Sequence, residues 1–382
     1  MNFQTEFEKG QLGLNRGIPF GKGLENLTAA INGLQKEMIY GVAAGAKVGK
    51  TTLVDAAFVL GPYLYSLENN VNIEWIYFSF EIDRLTKEFD YSSYFLYHDH
   101  NINEIQLPTG VTVKGQSIIE VSSDYLRGRL QDDNNLTVTV PDYIVEKLKI
   151  VYRERIIPLF GEFTPEGNQV SFGRIRMIEE KDNPTGLRNY LLDYAESQGS
   201  FVKTSYFSKK EGKTKERIIG YNPSEETAEK YTICVTDHLR KLKRERGYTL
   251  KENIDKWIEY QVELRNWCGF SFVDIIHLNR SMSDIARAKF MGDRLYPTSE
   301  DIKDTGNLSE EANHILTMFN PNDDKYNLRT HFGKEIKTLK NEILYPYMKT
   351  LHLVESRHTW YPQHFRYNMR GNVKSFEALL IE

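Results

Sequence analysis

The stretch AAGAKVGKTTLVDAAF, residues 43–58, sets glycines and a lysine-threonine pair between an apolar run and a helical pattern. It reads as a phosphate-binding loop joining a strand to a helix. Such a loop wraps backbone N–H groups around phosphates, sends a lysine to the terminal two, and places a hydroxyl for Mg2+ at a helix N-terminus. Lys50 and Thr51 fit those roles, with Ala44, Gly45, Ala46, Lys47, Val48, Gly49 and Thr52 completing the cradle. Upstream, MIYGVA (residues 38–43) is short and mostly apolar, as a buried parallel strand should be. Downstream, Leu53, Ala56, Ala57 and Leu60 recur at helical spacing. The first glycine of the usual pattern is Ala44 here, and Gly45 supplies part of the missing flexibility. The implied ligand is ATP or GTP.

Three further strands end in groups that could serve a nucleotide. NIEWIYFSF (72–80) stops at Glu81, KYTICVTDH (230–238) ends at Asp237, and FSFVDIIHL (270–278) carries His277. A helix over 251–267 separates the last two, and strand-helix alternation implies a parallel sheet with its site at the strands' C-terminal ends. Asp237 is then the second Mg2+ contact. Glu81 is placed to orient and deprotonate a hydrolytic water. His277 could sense the γ-phosphate through an imidazole N–H. Between these strands runs a long polar middle, with helices expected at SDYLRGRLQ (123–131) and DYIVEKLKIVYRE (142–154), a short strand at ERIIPLFGE (154–162), and a solvated hairpin or loop over 204–226.

With 382 residues, 40% of them hydrophobic and 27% charged, the chain can bury a large core. Cys234 and Cys268 lie in apolar runs and read as reduced, unreactive thiols rather than a disulfide framework. The first residues lack an apolar signal core, and no stretch approaches the ~18 apolar residues of a membrane span. A cytoplasmic location follows, in the host cytoplasm if the chain is phage-encoded. A net charge of -4 excludes a generic polyanion binder while leaving room for local basic patches. His98 and His100 have no nearby second pair and read as a surface loop rather than a metal site.

GIPFGKGLENLTAAINGL (17–34), the alanine-led loop, FSFEI (78–82), ICVTDHL (233–239), HLNRS (277–281) and PTSEDIKDTGNLSEEANHILTMFN (297–320) occur in one order. In that order they resemble the core of DnaB-type replicative helicases, over roughly residues 17–83 and 230–375. The resemblance implies an α/β, RecA-like P-loop ATPase with a largely parallel sheet flanked by helices, forming hexameric rings that use ATP and Mg2+ to move along single-stranded DNA. Ala44 fits the family's common first position; Glu81 takes its catalytic glutamate, Asp237 its Mg2+ aspartate beside Thr51, and His277 its sensor. The family's Lys-x-Arg element, which reaches a neighbouring subunit's phosphates, corresponds to Glu355, Ser356 and Arg357. Arg357 can act as the finger, but Glu355 cannot replace a lysine, which keeps Arg366 and Arg370 as alternatives. The separation of Glu81 from Asp237 exceeds what the fold needs, so an insertion is expected at about 90–226, inside an ATPase domain spanning 17–382. Residues 1–16 read as an arm or linker, too short for the family's N-terminal collar domain.

Two basic loops follow the nucleotide-sensing strands. One carries Lys241, Lys243, Arg244 and Arg246 beside Arg240; the other carries Arg280, Arg287, Lys289 and Arg294, with Phe290 and Tyr296 interleaved. Cations on phosphates and aromatics on bases would give sequence-independent, salt-sensitive binding of single-stranded DNA. The expected assembly is a homo-oligomer, ring or filament, working with other replication proteins. A RecA/RadA-like recombination ATPase would share the site, and so would a non-motor regulatory ATPase acting through a protein partner.

Overall fold

Aromatic and β-branched runs, buried on both faces, build the strands that carry the site. In the computed structural model, which describes residues 16–164, 166–208, 212–279, 285–302 and 306–379, the central sheet has nine strands. They are β1 (Ile39–Ala44), β2 (Ile73–Ser79), β3 (Ile175–Ile178), β4 (Tyr231–Asp237), β5 (Ser271–His277), β6 (His314–Phe319), β7 (Met348–Ser356), β8 (Gln363–Arg370) and β9 (Ser375–Ala378). Their spatial order is β9-β8-β7-β6-β1-β5-β4-β2-β3. Strands β6, β1, β5, β4, β2 and β3 run parallel, while β7, β8 and β9 form an antiparallel meander on the β6 edge.

Helices cover both faces. A short α1 (Glu25–Ile31) precedes β1. The helix after the phosphate loop, α2, runs continuously through Lys50–Val54, a wider π-helical stretch Asp55–Leu60, and Gly61–Asn69. Next come α3 (Arg84–His100), capped by the Asp83 side chain, and α4 (Asp142–Val151). Finally α5 (Pro184–Gln198) and α6 (Leu250–Cys268) follow, α6 opening on a Thr249–Glu252 capping box. Along β1 the side chains alternate between two cores: Tyr40, Val42 and Ala44 pack with α2 and α3, Ile39 and Ala43 with α5 and α6. That is why the strand reads as an unbroken apolar run.

Two expectations for the polar middle are corrected. ERIIPLFGE is helical rather than a strand, continuing α4 through Tyr152–Ile156 and Ile157–Phe160. Ile156, Leu159 and Phe160 are buried at helical spacing, and Pro158 falls in the first turn of the last segment, where its missing N–H needs no partner. SDYLRGRLQ forms a single turn, Ser123–Leu126, because Gly128 turns into the left-handed region at φ 65°. The expected hairpin is a long two-stranded ribbon, Gly199–Ser208 against Lys213–Pro223, whose root is fixed by Phe201 on Tyr221 and by the Tyr221 hydroxyl donating to the Ala195 carbonyl at 2.8 Å. Between α3 and β4 the chain thus supplies edge strand β3 and α5 as well as this ribbon. No helix among the described residues is long and apolar enough to cross a membrane.

Candidate nucleotide site and basic loops

Strand register brings the candidate groups together. Ala44 at the end of β1 lies opposite His277 at the end of β5, and Ser79 at the end of β2 lies opposite Asp237 at the end of β4. The loop after β1 turns through Lys47 and Gly49, both left-handed at φ 59° and 114°. A side chain at Gly49 would also collide with Met369 of β8, 2.7 Å from where its Cβ would stand. The loop delivers Lys50 to the N-terminus of α2, where the first-turn N–H groups have no partner within the helix and the helix dipole favours an anion.

Lys50 is largely buried and folds back over its own loop, donating from Nζ to the Ala44 and Gly45 carbonyls at 3.3 and 3.1 Å. Burial lowers its pKa against the opposing pull of Asp237 and Glu81. Thr51 donates its hydroxyl to Asp237 Oδ2 at 3.1 Å. Asp237 is buried, and burial above all holds its carboxyl above the ordinary range, a deficit that a cation would relieve. A hydroxyl and a carboxylate are the hard oxygen donors that Mg2+ selects, so these residues fit that ion.

His277 stands beside the lysine, its Nδ1 3.4 Å from Lys50 Nζ. Burial, then the Lys50 charge, push its pKa down to about 4, so the ring is neutral near pH 7. Its Nε2 lies 3.2 Å from Nε2 of His238, a buried residue that the sequence reading passed over. His238 in turn lies 3.3 Å from Glu81 Oε1. Lys50, His277, His238 and Glu81 therefore form one line of polar contacts from the phosphate loop to the candidate base. Position next to Asp237 was the available signal for His238.

Glu81 is exposed, and its carboxylate also meets Lys241 Nζ at 3.1 Å. Burial works against ionisation of this carboxyl, but the Lys241 hydrogen bond and the His238 ring outweigh it and lower its pKa. Lys241, placed by sequence with the DNA-binding loop, thus touches the catalytic candidate. Lys243, Arg244 and Arg246 are exposed around it, while Glu245 turns inward to accept from the Thr185 N–H and hydroxyl and to pair with Lys256. In the second loop Lys289, Phe290 and Arg294 face outward, Phe290 at 91% exposure. Arg287 is spent on buried Asp301 and the Tyr296 carbonyl, and Tyr296 packs on His352 and His364. Arg280 lies outside the described residues.

Arg357 sits in the turn after β7, exposed, donating to the Glu310 carbonyl and 3.8 Å from the Glu311 carboxylate. Both alternatives are engaged within the chain. Arg366 is largely buried and bonded to the Phe332 carbonyl, and Arg370 pairs with Glu104 at 2.8 Å.

A phosphate loop after the first core strand, in a largely parallel sheet closed by an antiparallel meander, defines a RecA-like P-loop fold. It is the fold of DnaB-like helicase ATPase domains. One such solved ATPase domain aligns with a TM-score of 0.59 at 12% identity, over 98% of this chain and 96% of that one. A DnaB-like replicative helicase, described with its interactions with primase, gives 0.59 at 13% identity, over 98% of this chain and 65% of that one. The chain therefore spans just under two thirds of the second protein. No protein-family model matches the sequence, and no curated protein matches it.

Proposed function

We propose that this chain is an ATP-driven motor of the DnaB-like helicase kind, which hydrolyses ATP with Mg2+ and translocates on or unwinds DNA in replication by holding a single strand. The observation that carries the reading is Thr51 bonded to Asp237 with Lys50 and His277 alongside, all at the C-terminal ends of neighbouring parallel strands. Lys50 and the loop N–H groups hold the β and γ phosphates; Thr51 and Asp237 hold Mg2+, which neutralises charge developing on the phosphates. The oxygen of a water attacks the γ-phosphorus as the bond to the bridging oxygen breaks. ADP leaves with that electron pair, and the water's proton passes to Glu81. Neutral His277 reads the γ-phosphate, and Arg357 supplies positive charge to a neighbouring subunit's site in a homo-oligomeric ring or filament. The exposed cations of the two loops hold the strand, and other replication proteins are the expected partners.

ATP turnover with and without Mg2+ and an oligodeoxythymidylate tests the reading. Turnover should require Mg2+, rise with the oligonucleotide, and vanish in Lys50→Ala. Unchanged turnover in folded Lys50→Ala protein would remove the ATPase assignment.

A further inference from the structure

The ammonium of Lys241 cannot serve Glu81 and a DNA phosphate at once. We propose that this competition couples strand binding to hydrolysis: in the free protein Lys241 holds Glu81, and a bound phosphate draws the ammonium away and frees the carboxylate to orient and deprotonate water. The inference deepens the ATPase reading and rests on it.

The placement of Lys241 is fixed while its charge is open to exchange. It ends the turn Leu239–Lys241, between Leu239 and Leu242, both buried, so its backbone is anchored to the core directly after Asp237 and His238. Its side chain and that of Glu81 are each 41% exposed. An ion pair this open to water is worth only about 0–1 kcal/mol, which a phosphate can match. Inward-turned Glu245 leaves the outer face of the loop to cations, with Lys243, Arg244 and Arg246 exposed close by in sequence, so a strand drawn to the loop brings phosphates to the ammonium that restrains Glu81. Lys241 is therefore a positioning residue, acting through the catalytic glutamate.

Two measurements test it. Zero-length carbodiimide coupling joins a carboxylate to an amine only in contact, and peptide mass spectrometry reads the product. A Glu81–Lys241 crosslink should form in the free protein and disappear when an oligodeoxythymidylate is bound. In parallel, Lys241→Met should raise DNA-independent turnover toward the DNA-saturated rate of the unaltered protein, by up to the ~10²-fold that a freed general base can return. The ratio of DNA-stimulated to basal turnover should fall to about one, while strand binding loses only about 0.7 from its salt slope, one phosphate's share. Lys241→Arg should keep the restraint and its release. A crosslink that persists with DNA bound, or unchanged basal turnover in Lys241→Met, would overturn the coupling. Absence of turnover in the unaltered protein, with or without DNA, would overturn the ATPase reading itself, and the crosslink would still report separately whether DNA moves Lys241.

Discussion

Asp274 sits in the middle of β5, fully buried, with the Gln261 amide of α6 donating to its Oδ1 at 3.0 Å. Burial lifts its pKa to about 7 against the hydrogen bonds it accepts. The folded protein therefore keeps a proton that the unfolded chain gives up near the ordinary carboxylate value. Unfolding releases that proton between about pH 4 and 7, so stability falls as pH rises through the window, by up to about 1.4 kcal/mol per unit. Asp274→Asn should flatten this decline in urea titrations at pH 5 and 8; an unaltered decline would show that another group causes it. Glu81, held below its ordinary range by Lys241 and His238, has the opposite character and is ionised throughout. Glu81→Gln should keep nucleotide and lose turnover, because the amide preserves shape but cannot accept the water's proton. If nucleotide binding collapsed while turnover per bound ATP stayed normal, the base would be another carboxylate.

Helix α2 joins the phosphate loop to the rest of the molecule through a buried charge that its sequence pattern conceals. Leu53, Ala56, Ala57 and Leu60 mark one apolar face, which would leave Asp55 on the other, yet every residue from Leu53 to Leu60 is buried. Asp55 Oδ1 accepts from Lys87 Nζ, Tyr91 and Tyr77 at 2.8, 2.9 and 3.1 Å, and its Oδ2 lies 3.0 Å from Lys374 Nζ. One carboxylate thus ties α2 to β2, to α3 and to the turn between β8 and β9. Removing one member of a buried pair leaves an uncompensated charge and costs about 3–5 kcal/mol. Asp55→Asn, which strands two lysines, should lose about that much in urea denaturation. Lys374→Met should lose less, since Lys87 still neutralises Asp55. Equal small losses would mean that the lysines find other partners. Nothing local in the sequence announces this network, because its members meet only after α2, α3 and the C-terminal meander have packed. The loop, the four strand ends and α6 were legible because each depends on a short run of residues with one period. The helical end of α4 was misread because an apolar run with a proline fits a strand equally well until its burial spacing is known.

At the scale of the whole molecule, the sheet separates the phosphate loop from its candidate finger. Ala44, leading into the loop, lies opposite Met318 on β6, whereas Ser356 lies opposite His314, at the other end of that strand. At about 3.3 Å per residue the two ends are roughly 13 Å apart along the strand before any side chain is counted. Arg357 follows Ser356 and so points away from its own chain's loop, which suits a group acting on a neighbouring copy. Arg366 lies toward the loop's end, opposite Thr350, but is largely buried and bonded within the chain. Glu355 stands opposite Ile315 on β6, and no lysine replaces it in this turn. Arg357→Ala should therefore bind ATP and hydrolyse it about 10³-fold more slowly or worse, the loss typical of a correctly placed arginine finger. Mixing it with Lys50→Ala distinguishes action between subunits from action within one. Each variant lacks a different half of a shared site, so mixed assemblies contain some interfaces with intact Lys50 facing intact Arg357, and turnover should partly return. Co-assembly verified by native mass spectrometry without any recovery would exclude Arg357 as a finger in trans and direct the search to Arg366 and Arg370, through release of the bonds that now hold them.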